Sequence, residues 1–374
     1  MRQSPLSIPD ASVSLFRLRL RRFRRIKRGY YSFLLLTAAY LLTFFLPFLI
    51  SDRAIVVSYD GRWYFPAVKS YLHDVFGIGW DYVYLAETFG QTEVDGYPIF
   101  AEADYRALKQ QFAEQDQGNW LLMPPIPYGP NENFLLSLEG NPPSLPSRDH
   151  WMGTDKSARD LLVRLSYGFR ISISFALIVT VIAYVIGTIV GAVLGYFGRW
   201  VDILGLRFVE IWSTIPFLYT VIIIGSVFEP SFMWLAIVLA CFGWIGISYY
   251  IRGEFYREKA KDYVAAAIAV GEGNTSIIFK HILPNALTPI IAFAPFAIVS
   301  MIVALVSLDF LGYGLTPPTP SWGEILKQAK ETNFREWHLV VFPIAAMAIT
   351  LQLVVFIGEA VREAFDPKVF SRLR

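Results

Sequence analysis

Cysteine is almost missing from this chain: Cys241 is the single one among 374 residues. One thiol excludes an intrachain disulfide and leaves the redox compartment unread. Histidine is sparse too. His73, His150, His281 and His338 are scattered, without the close spacing that a zinc site draws on. Charged residues make up only 17%, a low share for a soluble domain. The glycine-rich stretch GEGNTS at 271–276 lacks the lysine that follows the second glycine of a phosphate-binding loop. No nucleophile elbow is present. No catalytic, cofactor-binding or metal-binding residue is therefore expected, and energy for work must come from a gradient or from another subunit.

Apolar residues fill the space that charge leaves. They make up 55% of the chain, and the mean hydropathy is +0.44. A helix needs about 20 mainly apolar residues to cross a bilayer. Six runs qualify, near 31–50, 171–197, 211–228, 231–251, 287–308 and 338–358. The second is free of charge. The third is short and carries Pro216, with Arg207 and Glu210 at its polar end. The first lacks a small-residue cleavage site and is too long for a signal sequence, so it reads as a retained anchor.

Basic residues in short loops resist translocation and set orientation. RLRLRRFRRIKR at 17–28 precedes the first run, which places that end in the cytoplasm. Six spans return the basic tail VREAFDPKVFSRLR to the same side. Between the third and fourth runs, Phe228-Glu229-Pro230 has no Lys or Arg, whereas Arg252, Arg257, Lys259, Lys261 and Lys280 follow the fourth. The expected order is a cytoplasmic segment at 1–30, a first span at 31–50 and an outer domain at 51–165. A five-helix core at 166–361 and a cytoplasmic tail at 362–374 follow. The basic cluster abuts a span, which favours anionic lipid headgroups over nucleic acid as its partner.

Within the outer segment, AIVVSYDGRWYF at 54–65 predicts two short strands around a turn at Asp60-Gly61. AEADYRALKQQFAEQ at 101–115 predicts an amphipathic helix with Tyr105, Leu108 and Phe112 on one face. PPIPYGPNENF and NPPSLPS are too proline-rich for regular structure. Two readings stand for this domain: a lid, or a docking surface for a soluble partner. Ionisable residues near the spans, namely Asp309, Glu359 with Arg362, and Arg207 with Glu210, read as paired charges at helix ends.

Residues 255–285 form a further unit between the fourth and fifth runs. A helix is expected over 255–270, ending at Gly271, where a left-handed residue is favoured. Asn274 is a candidate N-cap for a second helix over 275–282, whose apolar positions are Ile277, Ile278, Phe279 and Ile282. Pro284 is expected to stop it. The alanines at 265–267 leave little side chain between backbones, so another protein could approach closely. A hairpin lying on the membrane and a soluble cap over the spans remain alternatives.

This stretch resembles the EAA loop of permease subunits in ATP-binding-cassette importers. The matching positions are Ala266 and Ala267, then Gly271, then Ile282-Leu283-Pro284, with Tyr263 and Asn285 at the edges. Ala265 stands where the family usually has Glu. The resemblance continues at 150–172, HWMGTDKSARDLLVRLSYGFRIS. Its Gly153, Thr154, Asp155, Arg159 and Asp160 are similar to a segment of dipeptide and oligopeptide permeases, with Ala158 replacing a glycine. LDFLGYGLTPPTPSWGEIL at 308–326 resembles another, through Asp309, Gly312, Gly314, Pro320, Ser321 and Gly323. YDGRWYFP and FIGEAVREAFDP look most like the Yej-type branch, whose substrates include microcin C-like peptides.

The resemblance implies an all-α polytopic membrane protein of the type I importer permease fold, with six transmembrane helices. A small periplasmic α+β insertion follows the first helix. It implies a bacterial inner-membrane subunit of a peptide importer, without ATPase activity of its own. The implied partners are a second homologous permease, ATPase subunits (two separate or one fused) that bind ATP and Mg, a periplasmic peptide-binding protein, and membrane lipid. The loop at 262–287 would couple this chain to the ATPase. Two rival classes are a gradient-driven secondary transporter, which needs a mid-span carboxylate or broken helices in repeated halves, and a membrane sensor, which needs an output module.

Overall fold

A computed structural model describes residues 15–76, 83–91, 93–94, 97–98, 102–115, 118–135 and 140–365. The amphipathic helix α1 (Leu15–Arg25) leads at Ile26 into α2 (Lys27–Thr43). The apolar run expected as one span at 31–50 is broken. α2 has 17 residues, and after Phe44-Phe45 a single turn, α3 (Leu46–Leu49), begins with Pro47 in its first positions. Proline is tolerated there because the first N–H groups of a helix lack partners in any case.

A small α+β domain follows. β1 (Val56–Tyr59) and β2 (Arg62–Tyr64) pair antiparallel, with Tyr59 opposite Arg62. Asp60 and Gly61 between them have φ of +50° and +71°, the left-handed pair that suits a two-residue hairpin. α4 (Pro66–Phe76), the short ribbon β3 (Glu93–Val94) and β4 (Tyr97–Pro98), then α5 (Tyr105–Gln115) come next. β5 (Trp120–Leu122) completes a three-stranded sheet of order β2-β1-β5. The helix expected from residue 101 starts at Tyr105, because the Asp104 side chain accepts from the N–H groups of Arg106 (2.9 Å) and Ala107 (3.1 Å) and caps it. Residue 101 lies outside the described residues. Tyr105, Leu108 and Phe112 are buried together against Val57 and Phe89.

From Leu161 on, the described residues are mostly helical. α6 (Leu161–Phe197) is capped by Asp160, whose carboxylate accepts from Val163 N–H at 3.0 Å. At 1.5 Å per residue its length is about 55 Å, well beyond the hydrocarbon thickness. α7 (Arg199–Ser213) and α8 (Phe217–Val227) follow, then α9 (Phe232–Lys259), capped by Ser231. The third run was expected over 211–228. It straddles a break at Thr214–Pro216, and the two helices diverge by 67°. Pro216 has no N–H and disfavours helical geometry at the residue before it. After the hairpin come α12 (Leu283–Leu311), α13 (Trp322–Glu331) and α14 (His338–Phe365). Among the described residues, α6, α9, α12 and α14 are long and apolar enough to cross a membrane, and the bent pair brings the number to as many as five. Residues 366–374 of the expected tail lie outside the described residues.

α6 and α9 pack most closely. A Cβ on Gly187 would stand 2.6 Å from Trp244 O, on Gly191 2.5 Å from Ser248 O, and on Gly195 2.7 Å from Arg252 O. Glycine at every fourth position lays one helix backbone against the other. A second layer joins α6 to α12, α13 and α14 through Ile173, Ile302, Trp322 and Leu339. α2 docks on this layer, and its Tyr40 hydroxyl lies 2.8 Å from the Ser174 hydroxyl on α6.

Candidate docking hairpin and the buried network opposite it

The helix expected over 255–270 is two helices. α9 stops at Lys259, and α10 (Asp262–Ala269) starts after Lys261. The break lets Glu258 turn inward. Its buried carboxylate accepts from Lys261 Nζ at 2.7 Å and from the Tyr263 hydroxyl at 2.8 Å. Burial first, then that hydrogen bond, pushes the Tyr263 phenol above its ordinary pKa and keeps it a donor. Asn285 Nδ2 donates to His281 O (3.0 Å) and toward the Tyr263 oxygen (3.3 Å). Tyr263 and Asn285 thus close the base of the hairpin.

α10 ends in a Schellman turn. Glu272 N–H donates to Ala267 O at 3.1 Å and Gly271 N–H to Ile268 O at 3.0 Å, with Gly271 at φ +86°. Asn274 does not cap the next helix. Its Oδ1 accepts from the Tyr196 hydroxyl of α6 at 2.7 Å. Nor does Pro284 end that helix. α11 (Asn274–Ser276) runs into a π turn over Ile277–Ile282 and straight on into α12. Pro284 falls in the first turn of α12, where the wider turn before it accommodates the missing N–H.

The expected coupling residues divide by burial. Val264, Ala267, Ile277 and Ile282 form the hairpin's own core together with Ile251 and Phe255 of α9 and Ala286 of α12. Ala267 and Ile282 are therefore internal. Ala265, Ala266, Gly271, Pro284 and Asn285 are exposed, and Tyr263 and Leu283 are half-buried. The outer face also bears Ile268, Phe279 and Val270, which is 84% exposed. An exposed apolar tip on a firmly packed base is the geometry of a docking knob. Sequence reading missed Glu258 and Tyr196. Their partners lie across a helix break and 78 residues away, and no spacing pattern marks them.

At the other end of α6 the two remaining resembling segments meet. Asp155 accepts from Arg159 Nε at 2.8 Å, and Arg159 donates to Glu324 at 2.9 Å. Glu324 also accepts from Arg164, and Gln328 Nε2 donates to it at 2.6 Å. Arg164, Glu324 and Gln328 are members that the sequence reading did not single out. Thr154 Oγ1 accepts from Ser144 N–H at 2.9 Å, and Gly153, at φ +81°, has no room for a Cβ beside Ser144 O. Asp160 holds His150 Nδ1 at 2.8 Å.

Asp309, expected as a charge at a span end, is 4% exposed. It accepts from Leu315 N–H at 2.6 Å and from the Ser321 hydroxyl, closing the turn through Gly312 and Gly314. Buried Pro320 and Gly323 flank Ser321. Arg207 and Glu210 do pair, at 2.7 Å on an exposed surface. Among the described residues no ion pair joins Glu359 to Arg362.

Ala158 is fully buried with φ +58°. A left-handed backbone strains any residue with a Cβ by about 1–2 kcal/mol. Ala158→Gly is expected to raise stability by about 0.5–1 kcal/mol after the added freedom of the unfolded chain is counted. Thermal unfolding of the detergent-solubilised protein checks this, and a lowered midpoint would mean that the methyl contacts outweigh the strain.

Between the two ends, α6, α9 and α12 line an open cleft of about 350 Å³, bordered by Thr180, Tyr184, Tyr250, Phe293, Phe296 and Ser300 among others. Among the described residues no group of three His, Cys, Asp or Glu is placed to hold a metal.

The family described as binding-protein-dependent transport system inner membrane component matches residues 186–371. The chain is 40% identical over 349 residues to the inner membrane ABC transporter permease protein YejE of Escherichia coli K12, covering 92% of this chain and 95% of that one. It is 36% identical to the peptidoglycan transport system permease protein YejE of Agrobacterium fabrum, over 94% and 92% of the two chains. Against the oligopeptide transport system permease protein OppC of Haemophilus influenzae the identity is 38%, over 59% of this chain and 70% of that one.

Proposed function

The chain belongs to the binding-protein-dependent transport system inner membrane components, and on that premise we propose that it is the peptide-conducting permease subunit of an importer driven by a separate ATPase. It is a multi-pass inner-membrane protein. The observation that carries the coupling role is the exposed face of Ala265, Ala266, Ile268 and Val270 on a base that cannot move alone. Tyr196–Asn274 ties the hairpin to α6, Glu258–Tyr263 ties it to α9, and the π turn continues it into α12. A push on the tip would therefore carry all three helices that line the cleft.

In this reading ATP and Mg bind the partner ATPase, and this chain holds no cofactor. Closure of the ATPase shifts the population between outward-open and inward-open states, because the two states differ in affinity for the closed dimer. α2, α6, the bent α7–α8 pair, α9, α12 and α14 make six passes, with both termini and the hairpin in the cytoplasm. The α+β domain then faces the periplasm. A second permease completes the path, and a peptide-binding protein delivers the cargo. The YejE relatives support the branch. Alignment over 92% of this chain leaves too few residues outside it to omit the α+β domain.

The test is co-purification of the tagged chain in mild detergent. Ala266→Glu places a charge on the exposed face without entering the hairpin core, so the ATPase is expected to be lost while the second permease is retained. Wild-type recovery of the ATPase with this variant would remove the hairpin from the interface. Ala267→Glu is the wrong probe, since it puts a carboxylate into the core.

A further inference from the structure

We propose that the polar cavity at the root of the α+β domain binds a primary ammonium group. Two sources carry that chemistry in the proposed peptide importer, on which this inference rests: the N-terminus of a peptide, and a lysine of a docked protein.

The cavity measures about 190 Å³ and lies where Asp52 and Arg53, after α3, meet the start of α5 and the loop that carries Glu132. That volume suits one functional group, since whole-ligand pockets start at about 300 Å³. Four carboxylates and two guanidiniums line it: Asp52, Glu102, Asp104 and Glu132 against Arg53 and Arg106. The cations are already taken. Arg53 forks onto Glu102 at 2.6 and 2.9 Å. Arg106 pairs with Glu132, whose other oxygen accepts from Gly129 N–H at 3.0 Å.

Asp52 and Asp104 remain. Asp52 makes no ion pair among the described residues, and its one hydrogen bond is a long contact from the Ser51 hydroxyl at 3.4 Å. It packs where a Cβ on Gly129 would otherwise stand, 2.7 Å from its carboxyl carbon. Asp104 spends one oxygen on capping α5 and keeps the other free.

Tyr105 supplies a second, independent sign. It is 2% exposed and lines the same cavity, yet its hydroxyl has no protein partner. Burial, with Glu102 next, holds its phenol above the ordinary value, so it stays neutral. A buried hydroxyl without a partner is destabilising. The cavity thus offers three groups with acceptor capacity to spare, Asp52, Asp104 and Tyr105, and its lining carries an excess of two negative charges. A primary ammonium has three donors and no acceptor. The charge excess calls for a cation, and the Tyr105 hydroxyl without a partner beside the carboxylate oxygens suits one that donates N–H bonds.

The test uses the assembled transporter in nanodiscs and three probes: trialanine amide, N-acetyl-lysine amide, and N-acetyl-trialanine amide, which has no ammonium. Saturation-transfer NMR reads their binding to wild type, Asp52→Asn and Tyr105→Phe. Hydrogen bonds to charged groups imply about a tenfold or greater weakening in each variant. Tyr105→Phe should keep or raise the melting midpoint, an outcome that loss of binding through misfolding would not give. Preference for trialanine amide marks the peptide terminus as the source. Preference for N-acetyl-lysine amide marks a docked lysine. Equal signals from all three probes, or binding unchanged in both variants, would overturn the site. ATPase co-purification is scored on the same samples, so an intact complex with unchanged titrations refutes the ammonium site alone and leaves the transport reading standing.

Discussion

Gly191→Leu is expected to leave almost no folded protein in the membrane. The missing Cβ at this position is what lets α6 lie on α9. A side chain there would meet Ser248 O at 2.5 Å and Ile251 Cβ at 2.8 Å, and neither a helix carbonyl nor a β-carbon can swing away. Overpacking a rigid site usually costs about 1–3 kcal/mol. Here the obstruction is backbone, and relief requires parting two helices that also share Gly187 and Gly195, so a loss above about 3 kcal/mol is expected on the same scale. The measurement is size-exclusion profiling of a fluorescent fusion in mild detergent, beside Gly246→Leu, where a Cβ meets nothing within 4 Å. The control should give a symmetrical peak and Gly191→Leu an aggregated one. Matching peaks would mean that α6 and α9 do not approach as closely as the glycine spacing requires.

The same glycines show what a sequence reader can and cannot see. Glycine at 187, 191 and 195 is a legible four-residue repeat, but it does not name its partner helix. The runs that became α6, α9, α12 and α14 were legible because lipid leaves a spanning backbone few options, and Pro216 visibly flagged the run at 211–228. The size of its bend was not legible, since that depends on what α7 and α8 pack against. Pro284 misled for a related reason. Proline ends a regular α-helix, but a π turn upstream lets the chain continue, and nothing in the residues Ile277–Ile282 announces a π turn.

In the candidate hairpin the resembling motif was legible, and which of its residues face outward was not. Ala266 and Ala267 are neighbours of the same type, and only the rotation of α10 decides that one faces solvent and the other the core. The motifs at the other end of α6 were visible as two separate segments. Their union was hidden because Arg159 and Glu324 are 165 residues apart, and complementary charge alone does not select a partner at that distance.

That union carries the second large effect. Asp155, Arg159, Arg164 and Glu324 are two acids and two bases, all nearly out of water, so the cluster is neutral as a set. Arg164→Met is expected to lower stability by about 3–5 kcal/mol, because it leaves a net negative charge buried and frees Pro130 O, which now accepts from Arg164 at 3.0 Å. Glu324→Gln alone should also destabilise, leaving a net positive charge. The double variant removes one charge of each sign and restores neutrality. It should therefore be less damaging than the sum of the singles, by at least about 1 kcal/mol in a double-mutant cycle. Thermal unfolding of the purified chain reads all three. Arg207→Ala is the comparison, because that ion pair is solvent-exposed and should change stability by no more than about 0.5 kcal/mol. Strict additivity of the two buried substitutions would mean that Arg164 and Glu324 do not sense one another. The junction of α6 with α13 would then be held by Trp322, whose indole N–H donates to Leu165 O at 3.0 Å, and by the apolar layer around it.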